Sequence, residues 1–449
     1  MQKNTSHVFG RSARGGPPPT VAHGEGCYLI DTTGKRYLDG SGGAAVSCLG
    51  HSDASVKAAM QQQTDSVAYA HTGFFTSEPA EALADKLCQL APKGIGRVYL
   101  LSGGSEAVEA ALKLSRQYFL EIDQPRRHRI IARRQSYHGN TLGALATGGN
   151  TWRREPFAPL MVTTSHIAPC FEYRGRSNSE TATEYGARMA NELETELLRL
   201  GPETVMAFVA EPVVGATLGA VPSVTGYFQR IRQICDQYGV LLVLDEVMCG
   251  MGRTGTMFAC EQDGISADII LIAKGLGAGY QPIGAMLCSD TIYDAIADGT
   301  GFFQHGHTYM GHPVAAAAAL AVIKRLDDDG LVARCKMMGD RLKLALSAEF
   351  GNHPNIGDIR GRGLFRGLEI VRDRANKSPF DPALEIAKNF KTAAFEAGLI
   401  CYPMGGTIDG ISGDHVLIAP PFIIEDDQID ELVSKLSVAL DVVLKEHAK

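Results

Sequence analysis

Three features that the sequence lacks narrow the range of possible functions. The 449 residues carry a net charge of −7 at pH 7 with no block of about five or six like charges, so composition does not support a nucleic-acid or anionic-membrane surface. Neither a run of about 18 apolar residues nor the apolar segment of a secretory signal is present. The 10 cysteines include no C-x-x-C pair, which disfavours zinc and predicts reduced thiols. We therefore expect a cytoplasmic protein that acts on small molecules, without nucleic-acid or membrane partners.

The middle of the chain alternates short apolar runs with helical patterns. The apolar runs include RVYLLS, VMAFVAEPV, VLLVLDEV and ADIILIAK, which are aliphatic with almost no polar alternation. Such runs are typical of strands buried on both faces, and the helices between them supply parallel crossovers. We therefore predict an α/β fold in which helices cover both faces of a mostly parallel sheet.

The pattern changes after the alanine-rich helix HPVAAAAALAVIKRLDDDG. GDIRGRGLFRGLEI has the pattern of a strand pair, and the tail DQIDELVSKLSVALDVVLKEH is amphipathic. GRSARGGPPP near the start is too rich in glycine and proline for regular structure, so it predicts an irregular arm. These changes predict an N-terminal arm with part of a small domain at 1–58, a large domain at 59–326 and the C-terminal small domain at 327–449.

Polar residues directly follow several predicted strands, which is where ligands bind in sheets of this kind. After RVYLL, Gly104 and Ser105 begin a helix whose free N–H groups favour an anion such as phosphate, although a serine-capped turn is an alternative. Asp245 ends another strand, and burial of its carboxylate requires a cation or good donors nearby. Glu211 follows a third strand. We therefore predict a ligand site at this edge of the sheet.

Lys274 lies between the apolar run ADIILIA and a glycine-rich loop. A lone lysine is normally a solvated surface group, but the other positions describe one ligand around it. That ligand would carry a phosphate at Gly104–Ser105 and a flat ring that Tyr137, beside His138, can cover. Its ring nitrogen would face Asp245 and its aldehyde would meet Lys274. These requirements predict pyridoxal 5'-phosphate, whose imine with lysine needs a partly deprotonated amine.

Six motifs in order carry a family resemblance. They are SGGSEAVEAALK (102–113), YHG (137–139), EPVVG (211–215), DEVMCGMGRTG (245–255), AKGLGAGYQPIGA (273–285) and HTYMGHP (307–313). The chain resembles the class III aminotransferases over nearly its whole length. The resemblance implies a pyridoxal-phosphate-dependent transferase of fold type I, with a seven-stranded, mostly parallel sheet in the large domain and a smaller α+β domain. It also implies a homodimer with shared active sites, with a tetramer as the alternative assembly.

The resemblance further implies a role for each matched position. Lys274 would form the Schiff base and carry the proton, and Asp245 would pair with the ring nitrogen. Val247 and Tyr137 would cover the two ring faces. The remaining cofactor contacts would be Gly104 and Ser105 at the phosphate, Thr308 reaching across from the partner subunit, Glu211 beside the ring hydroxyl, and His138.

Three positions depart from the pattern of relatives that use amines and pyruvate. Ala45 stands where an aromatic residue is frequent, so a roomier pocket is expected, and Met248 replaces a frequent glutamine. Tyr402 falls near the position of a movable arginine, beside the extra residues MGGTIDGIS. If that arginine is missing, another group must bind the keto-acid carboxylate. The candidates for it are Arg366, Arg362 and Arg153.

The expected activity is transfer of an amino group from a terminal amine or ω-amino acid to a 2-oxo acid such as pyruvate, by a ping-pong mechanism. A lyase or aminomutase of the same family is the alternative, because one cofactor serves all of these reactions. GMGRTG at 250–255 also matches the G-x-G-x-x-G of an NAD-dependent dehydrogenase, but no long helix is predicted after it. His305, His307 and His312 have no clustered carboxylate, so we interpret them as loop residues near the phosphate and expect no metal.

Overall fold

The computed structural model describes residues 6–12 and 16–447. Its strands are β1 (Val21–Glu25), β2 (Tyr28–Asp31), β3 (Arg36–Asp39), β4 (Ile95–Leu101), β5 (Arg129–Arg133), β6 (Ser165–Ile167), β7 (Val205–Ala210), β8 (Val213–Val214), β9 (Val221–Pro222), β10 (Leu241–Asp245), β11 (Ile269–Ile272), β12 (Gly284–Ser289), β13 (Ile356–Arg362), β14 (Phe365–Ile370), β15 (Leu399–Ile400), β16 (Tyr402–Gly405) and β17 (Asp414–Ile418). Its α-helices are α1 (Gly42–Ala45), α2 (Ala54–Ser66), α3 (Glu78–Leu90), α4 (Gly104–Glu121), α5 (Leu142–Thr147), α6 (Thr151–Arg154), α7 (Glu172–Gly175), α8 (Ala182–Leu200), α9 (Tyr227–Tyr238), α10 (Asp290–Asp298), α11 (Pro313–Asp327), α12 (Leu331–Phe350), α13 (Ile386–Glu396) and α14 (Asp426–His447).

A seven-stranded sheet forms the centre of the molecule, in the order β4-β12-β11-β10-β7-β5-β6. Its neighbouring strands pair in parallel except at β12, which runs antiparallel to both β11 and β4. Every residue of β7, β10 and β11 is buried, as expected for apolar strands that are covered on both faces. The predicted α/β fold with a mostly parallel sheet of seven strands is confirmed.

Helix α4 begins shortly after β4 at the carboxyl edge of this sheet. It packs against β11 and β12 and buries small and aliphatic side chains that include Ala107, Ala111 and Leu114. The turn before it packs closely against β12, because a Cβ at Gly284 of β12 would lie 2.5 Å from the Gly103 carbonyl oxygen. This close packing fixes the N-terminus of α4 beside the ends of the central strands.

Two smaller four-stranded sheets lie outside the central sheet, and one of them joins the two ends of the chain. In the sheet β1-β2-β3-β15, β3 pairs in parallel with β15, and Leu38 lies opposite Leu399. In the sheet β13-β14-β17-β16, β13 and β14 form the predicted antiparallel pair. Helix α14 is amphipathic as predicted and buries Ile429 and Leu436. N-terminal and C-terminal segments thus share one smaller unit, while the three domain boundaries remain predictions.

Some features are absent from the described residues. The predicted irregular arm forms neither helix nor strand at 10–12 and 16–19, and its residues 13–15 lie outside the described part of the chain. No described helix is both long and apolar enough to cross a membrane. The same residues contain no group of three or more histidine, cysteine, aspartate or glutamate side chains that could hold a metal ion.

Candidate active site

A cavity of about 110 Å³ opens at the carboxyl ends of the central parallel strands. The residues that line it come from segments following β4, β5, β7, β10 and β11, which are distant in the sequence and meet at this sheet edge. They are Gly104, Ser105, Tyr137, His138, Gly139, Glu211, Ala216, Asp245, Val247, Met248 and Lys274. The structure therefore brings together eight of the nine predicted cofactor contacts, and the ninth, Thr308, does not line the cavity.

Asp245 is the last residue of β10, and two donors hold its buried carboxylate. The Val247 N–H donates to Oδ1 at 3.0 Å, and His138 Nδ1 lies 2.8 Å from Oδ2. Because a carboxylate can only accept, Nδ1 carries the proton in this contact. The other ring nitrogen, His138 Nε2, is buried and has no described hydrogen-bond partner. Asp245 is thus an oriented acceptor at the cavity.

Lys274 lines the cavity from the 3-10 turn Lys274–Leu276, just after β11. Its φ of 46° lies in the left-handed region of backbone conformation. Residues other than glycine seldom adopt this conformation, and those that do are enriched at functional sites. Its amine has no hydrogen-bond or salt-bridge partner within the described residues. Burial lowers the pKa of Lys274, and the charges of Asp245 and Glu211 only partly oppose this effect. The amine is therefore deprotonated more readily than that of a surface lysine.

Glu211 follows β7 and fixes the segment that carries Tyr137. Its Oε1 accepts the Tyr137 N–H at 3.1 Å, and its Oε2 accepts the Gly215 N–H at 2.9 Å. Burial raises the pKa of Glu211, and the charge of His138 acts in the opposite direction. The carboxyl group thus holds the backbone at Tyr137 beside the cavity.

Ser105 and Asn140 hold each other beside the start of α4. Ser105 Oγ donates to Asn140 Oδ1 at 2.8 Å and accepts the Asn140 N–H at 3.1 Å. The free N–H groups at the start of this 18-residue helix favour an anion. Sequence reasoning alone does not identify Asn140, although a polar residue directly after the YHG motif is a usable signal.

Close packing leaves no room for a side chain at two glycines at this end of the cavity. At Gly104, a Cβ would lie 2.8 Å from Val247 Cγ1. At Gly139, where φ is 135°, a Cβ would lie 2.6 Å from Ser105 Oγ. Only glycine fits such contacts, so the backbone itself is presented to a ligand at both positions.

The three positions at which departures from relatives that use amines and pyruvate are expected lie together. Ala45 and Tyr402 belong to one apolar cluster with Met248, and Met248 lines the cavity. Ala45 is buried, and Tyr402 on β16 is half-buried. These side chains form an apolar wall next to the cavity.

The structure separates the three arginines that were candidates for carboxylate binding. Arg366 donates to two backbone carbonyl oxygens, and Arg362 forms an ion pair with buried Asp263. Neither lines the cavity, because protein groups hold both guanidinium groups elsewhere. Arg153 does not line the cavity either, but its guanidinium carbon lies 4.8 Å from the centre of the Tyr137 ring, and Tyr137 does line it. The prediction of Arg366 as a substrate contact is therefore not supported by its position.

Thr308 lies on an exposed segment outside this chain's cavity. Its carbonyl oxygen accepts the Tyr69 hydroxyl at 3.0 Å. On the same segment, burial lowers the pKa of His305 and of His307, whereas His312 caps α11 by accepting the Ala315 N–H at 3.4 Å. The contact of Thr308 with a phosphate stays a prediction that requires a second subunit.

The glycine-rich stretch at 250–255 is packed inside the protein and is not open to a dinucleotide. Arg253 is buried and donates to the Pro420 carbonyl oxygen at 2.6 Å. A Cβ at Gly252 would lie 3.1 Å from the Phe422 side chain. The residues between this stretch and β11, all described, form a 3-10 turn and no α-helix. A dinucleotide site needs a helix N-terminus at this point, so a dehydrogenase is not supported.

Comparison with known sequences identifies the family. The family described as aminotransferase class-III matches residues 12–440. An uncharacterized aminotransferase of Schizosaccharomyces pombe is 51% identical over 421 residues, which cover 94% of this chain and 92% of that protein. The family match extends over the cavity and the two smaller sheets.

Solved structures agree with the sequence matches. An (S)-enantioselective ω-transaminase from Thermomicrobium roseum has a TM-score of 0.91 and 35% identity, covering 98% of this chain and 96% of that one. An ω-transaminase from Pseudomonas jessenii in complex with PMP has a TM-score of 0.90 and 32% identity, covering 96% of this chain and 93% of that one. With this fold and the family match over nearly its whole length, the chain belongs to the class III aminotransferases.

Proposed function

We propose that the protein is a pyridoxal-phosphate-dependent aminotransferase that moves an amino group from a terminal amine or ω-amino acid to a 2-oxo acid such as pyruvate. Membership of the class III family supports amino-group transfer. The observation that carries the cofactor proposal is one cavity lined by both the unpartnered amine of Lys274 and the carboxylate of Asp245. We also propose a cytoplasmic location, on composition alone.

The residues of the cavity fit this cofactor. Its phosphate would lie at Gly104–Ser105, where glycine leaves the backbone open beside a helix N-terminus. Its ring would lie between Val247 and Tyr137, with the ring nitrogen toward Asp245. When bound, the cofactor supplies an aldehyde for the amino group and an electron-withdrawing ring.

Lys274 would hold the cofactor and move the reacting proton. Its lowered pKa favours the neutral amine, which can accept a proton from the carbon that bears the donor's amino group. Asp245, oriented by His138, keeps an acceptor toward the ring nitrogen. A single cavity must serve donor and acceptor in turn, so we propose that the first product leaves before the 2-oxo acid enters.

We propose a homodimer in which each subunit completes the other's site. Exposed aromatic side chains on two segments support an interaction surface; they are Phe74, Phe75, Phe302 and Tyr309, at 83%, 68%, 63% and 60% exposure. Scattered exposed apolar residues are ordinary, whereas several on joined segments mark a binding surface. The hydrogen bond from Tyr69 to Thr308 joins these segments. Thr308 on this surface would contact the phosphate in the partner's cavity.

The absorbance spectrum of the purified protein tests the proposed reaction. We expect a visible band from lysine-bound cofactor, its loss when an amine donor is added without a 2-oxo acid, and its return with pyruvate. A persistent band with release of ammonia would indicate a lyase, and rearrangement of the donor would indicate an aminomutase. If no band forms even after addition of pyridoxal phosphate, the cofactor proposal fails.

A further inference from the structure

We propose that Arg153 binds the substrate carboxylate in this site. The inference rests on the proposed function, in which ω-amino acids and 2-oxo acids both carry a carboxylate. Tyr402, Met248 and Ala45 form an apolar wall that offers no positive charge to a carboxylate. Arg153 on α6 would supply that charge instead.

The position of Arg153 places its charge one aromatic ring away from the cavity. Its guanidinium carbon lies 4.8 Å from the centre of the Tyr137 ring, and Tyr137 lines the cavity. Burial raises the pKa of Tyr137, and the positive charge of nearby Arg153 acts in the opposite direction. Stacking on an aromatic face leaves the N–H groups at the rim of a guanidinium free to bind an anion.

The hydrogen-bonding capacity of Arg153 is largely unused. No carboxylate in the described part of the chain forms an ion pair with it. Its Nε is buried without a partner, and one terminal nitrogen meets only Met404 Sδ at 4.0 Å, a weak acceptor. The neighbouring Arg154 differs, because it donates to the Gly148 carbonyl oxygen at 2.8 Å. A planar guanidinium with free N–H groups matches the two oxygens of a carboxylate.

A chain of hydrogen bonds positions the backbone of Arg153 in α6. Asn150 caps this short helix and accepts the Arg153 N–H at 3.3 Å. Asn150 Nδ2 donates to Gln135 Oε1 at 2.8 Å, and Gln135 Nε2 donates to the Gly406 carbonyl oxygen at 2.7 Å. Gly406 belongs to the extra segment between β16 and β17. The segment in which extra residues are expected therefore supports the backbone of the arginine that we assign to the carboxylate.

The sole tryptophan of the chain provides a direct test. Trp152 neighbours Arg153, with its ring 5.5 Å from the guanidinium carbon, so its fluorescence should report an anion at this group. We would titrate the purified protein with propionate, an unreactive monocarboxylate, and with propionamide, its neutral analogue. Calorimetric titration with propionate checks that a missing fluorescence change means missing binding.

Three variants complete the test. Arg153→Met should raise the Kd for propionate about 10- to 100-fold, as expected for loss of a charged hydrogen bond. Arg153→Lys retains the charge without the planar fork and should lie between wild type and Arg153→Met. Arg11→Met is the matched control, because exposed Arg11 also acts on Tyr137 through its charge but makes no described stacking contact with it. That control should change the Kd by less than about twofold.

Saturable binding of propionate but not propionamide, weakened by Arg153→Met and not by Arg11→Met, is the expected result. An unchanged Kd in Arg153→Met, equal weakening in Arg11→Met, or no saturable binding by the wild type would each overturn the assignment. The absorbance spectrum tests the cofactor and the reaction independently of these titrations. Carboxylate binding at Arg153 without any cofactor band would therefore contradict the aminotransferase proposal while retaining the anion site.

Discussion

His138 Nδ1 lies 2.8 Å from Asp245 Oδ2, which joins two side chains that are 107 positions apart in the sequence. The Val247 N–H holds the other carboxylate oxygen at 3.0 Å. With both oxygens bound, the carboxylate is fixed in orientation before any ligand enters. Such preorganised groups contribute strongly when charge develops during a reaction.

Removing the charge of Asp245 tests its proposed contact with the cofactor ring. Asp245→Asn should lower kcat at least about 100-fold, because a neutral amide cannot stabilise the protonated ring nitrogen. His138→Phe keeps a ring of similar size but loses the donor, and should lower kcat about 10- to 100-fold.

The absorbance maximum of the bound cofactor, followed against pH, distinguishes this role from a merely structural one. In both variants the pH at which the absorbance maximum changes should differ from that of the wild type, because Asp245 would act on the protonation of the ring nitrogen. Normal kcat in Asp245→Asn, or loss of activity with an unaltered spectrum, would contradict the assigned contact.

The lowered pKa of Lys274 predicts a pH-dependent cost to stability. In the unfolded chain this amine titrates near 10.5, and in the folded protein below that value. Between the two values the unfolded chain binds more protons, so the contribution of Lys274 to stability rises with pH across this window and is unfavourable below it. Lys274→Met should therefore raise the free energy of unfolding of the cofactor-free protein at neutral pH, and the gain should vanish above 10.5.

Thermal unfolding of cofactor-free protein across this pH range measures the effect. Exposed Lys57 on α2 supplies the control, since Lys57→Met should show no such pH-dependent gain. The same Lys274→Met protein should lack turnover and the visible band. Retained transamination would refute Lys274 as the group that binds the cofactor.

The central sheet could be predicted because its strands carry their own signal. Every residue of β7, β10 and β11 is buried, and their apolar runs show this directly. The pairing of Leu38 with Leu399 could not be predicted in this way. That contact depends on how the two ends of the chain meet. The short strands there have no sequence pattern from which their pairing partner could be predicted.

In the candidate site, too, some residues could be predicted from the sequence and others could not. Residues at strand ends, such as Asp245 and Lys274, are identifiable because the carboxyl edge of a parallel sheet collects ligands. The three candidate arginines could not be ranked, because rank depends on which partners already hold each guanidinium group. Only the structure shows that Asp263 pairs with Arg362 and that Arg153 stacks on Tyr137.

The exposed aromatic surface predicts a subunit interface that activity requires. Tyr309→Glu places a charge beside Tyr69, whose ring centre lies 5.9 Å from that of Tyr309, and should shift the protein toward monomers with loss of activity, because Thr308 would no longer reach the partner's cavity. Light scattering and turnover measure the two effects. Leu344→Glu is the control, since Leu344 on α12 is 69% exposed on another element and should change neither. A fully active monomer would refute the shared site.

Gly139 and Gly148 offer a matched pair for testing the phosphate end of the cavity. At Gly139, with φ at 135°, a Cβ would lie 2.6 Å from Ser105 Oγ, whereas at Gly148 the nearest atoms are 3.5 Å away, an ordinary contact. Gly139→Ala should destabilise the protein by roughly 1–3 kcal/mol, and Gly148→Ala by less than about 0.5 kcal/mol.

The two substitutions add the same methyl group, so any difference between them comes from the site of addition. In Gly139→Ala the Ser105 side chain must move away from Asn140, and the affinity for pyridoxal phosphate should fall with stability. Denaturant unfolding and a titration of cofactor-free protein with pyridoxal phosphate measure the two quantities. The Gly139→Ala substitution disturbs Ser105 directly. Equal cofactor affinity in both variants would therefore show that Ser105 and its neighbours do not hold the phosphate.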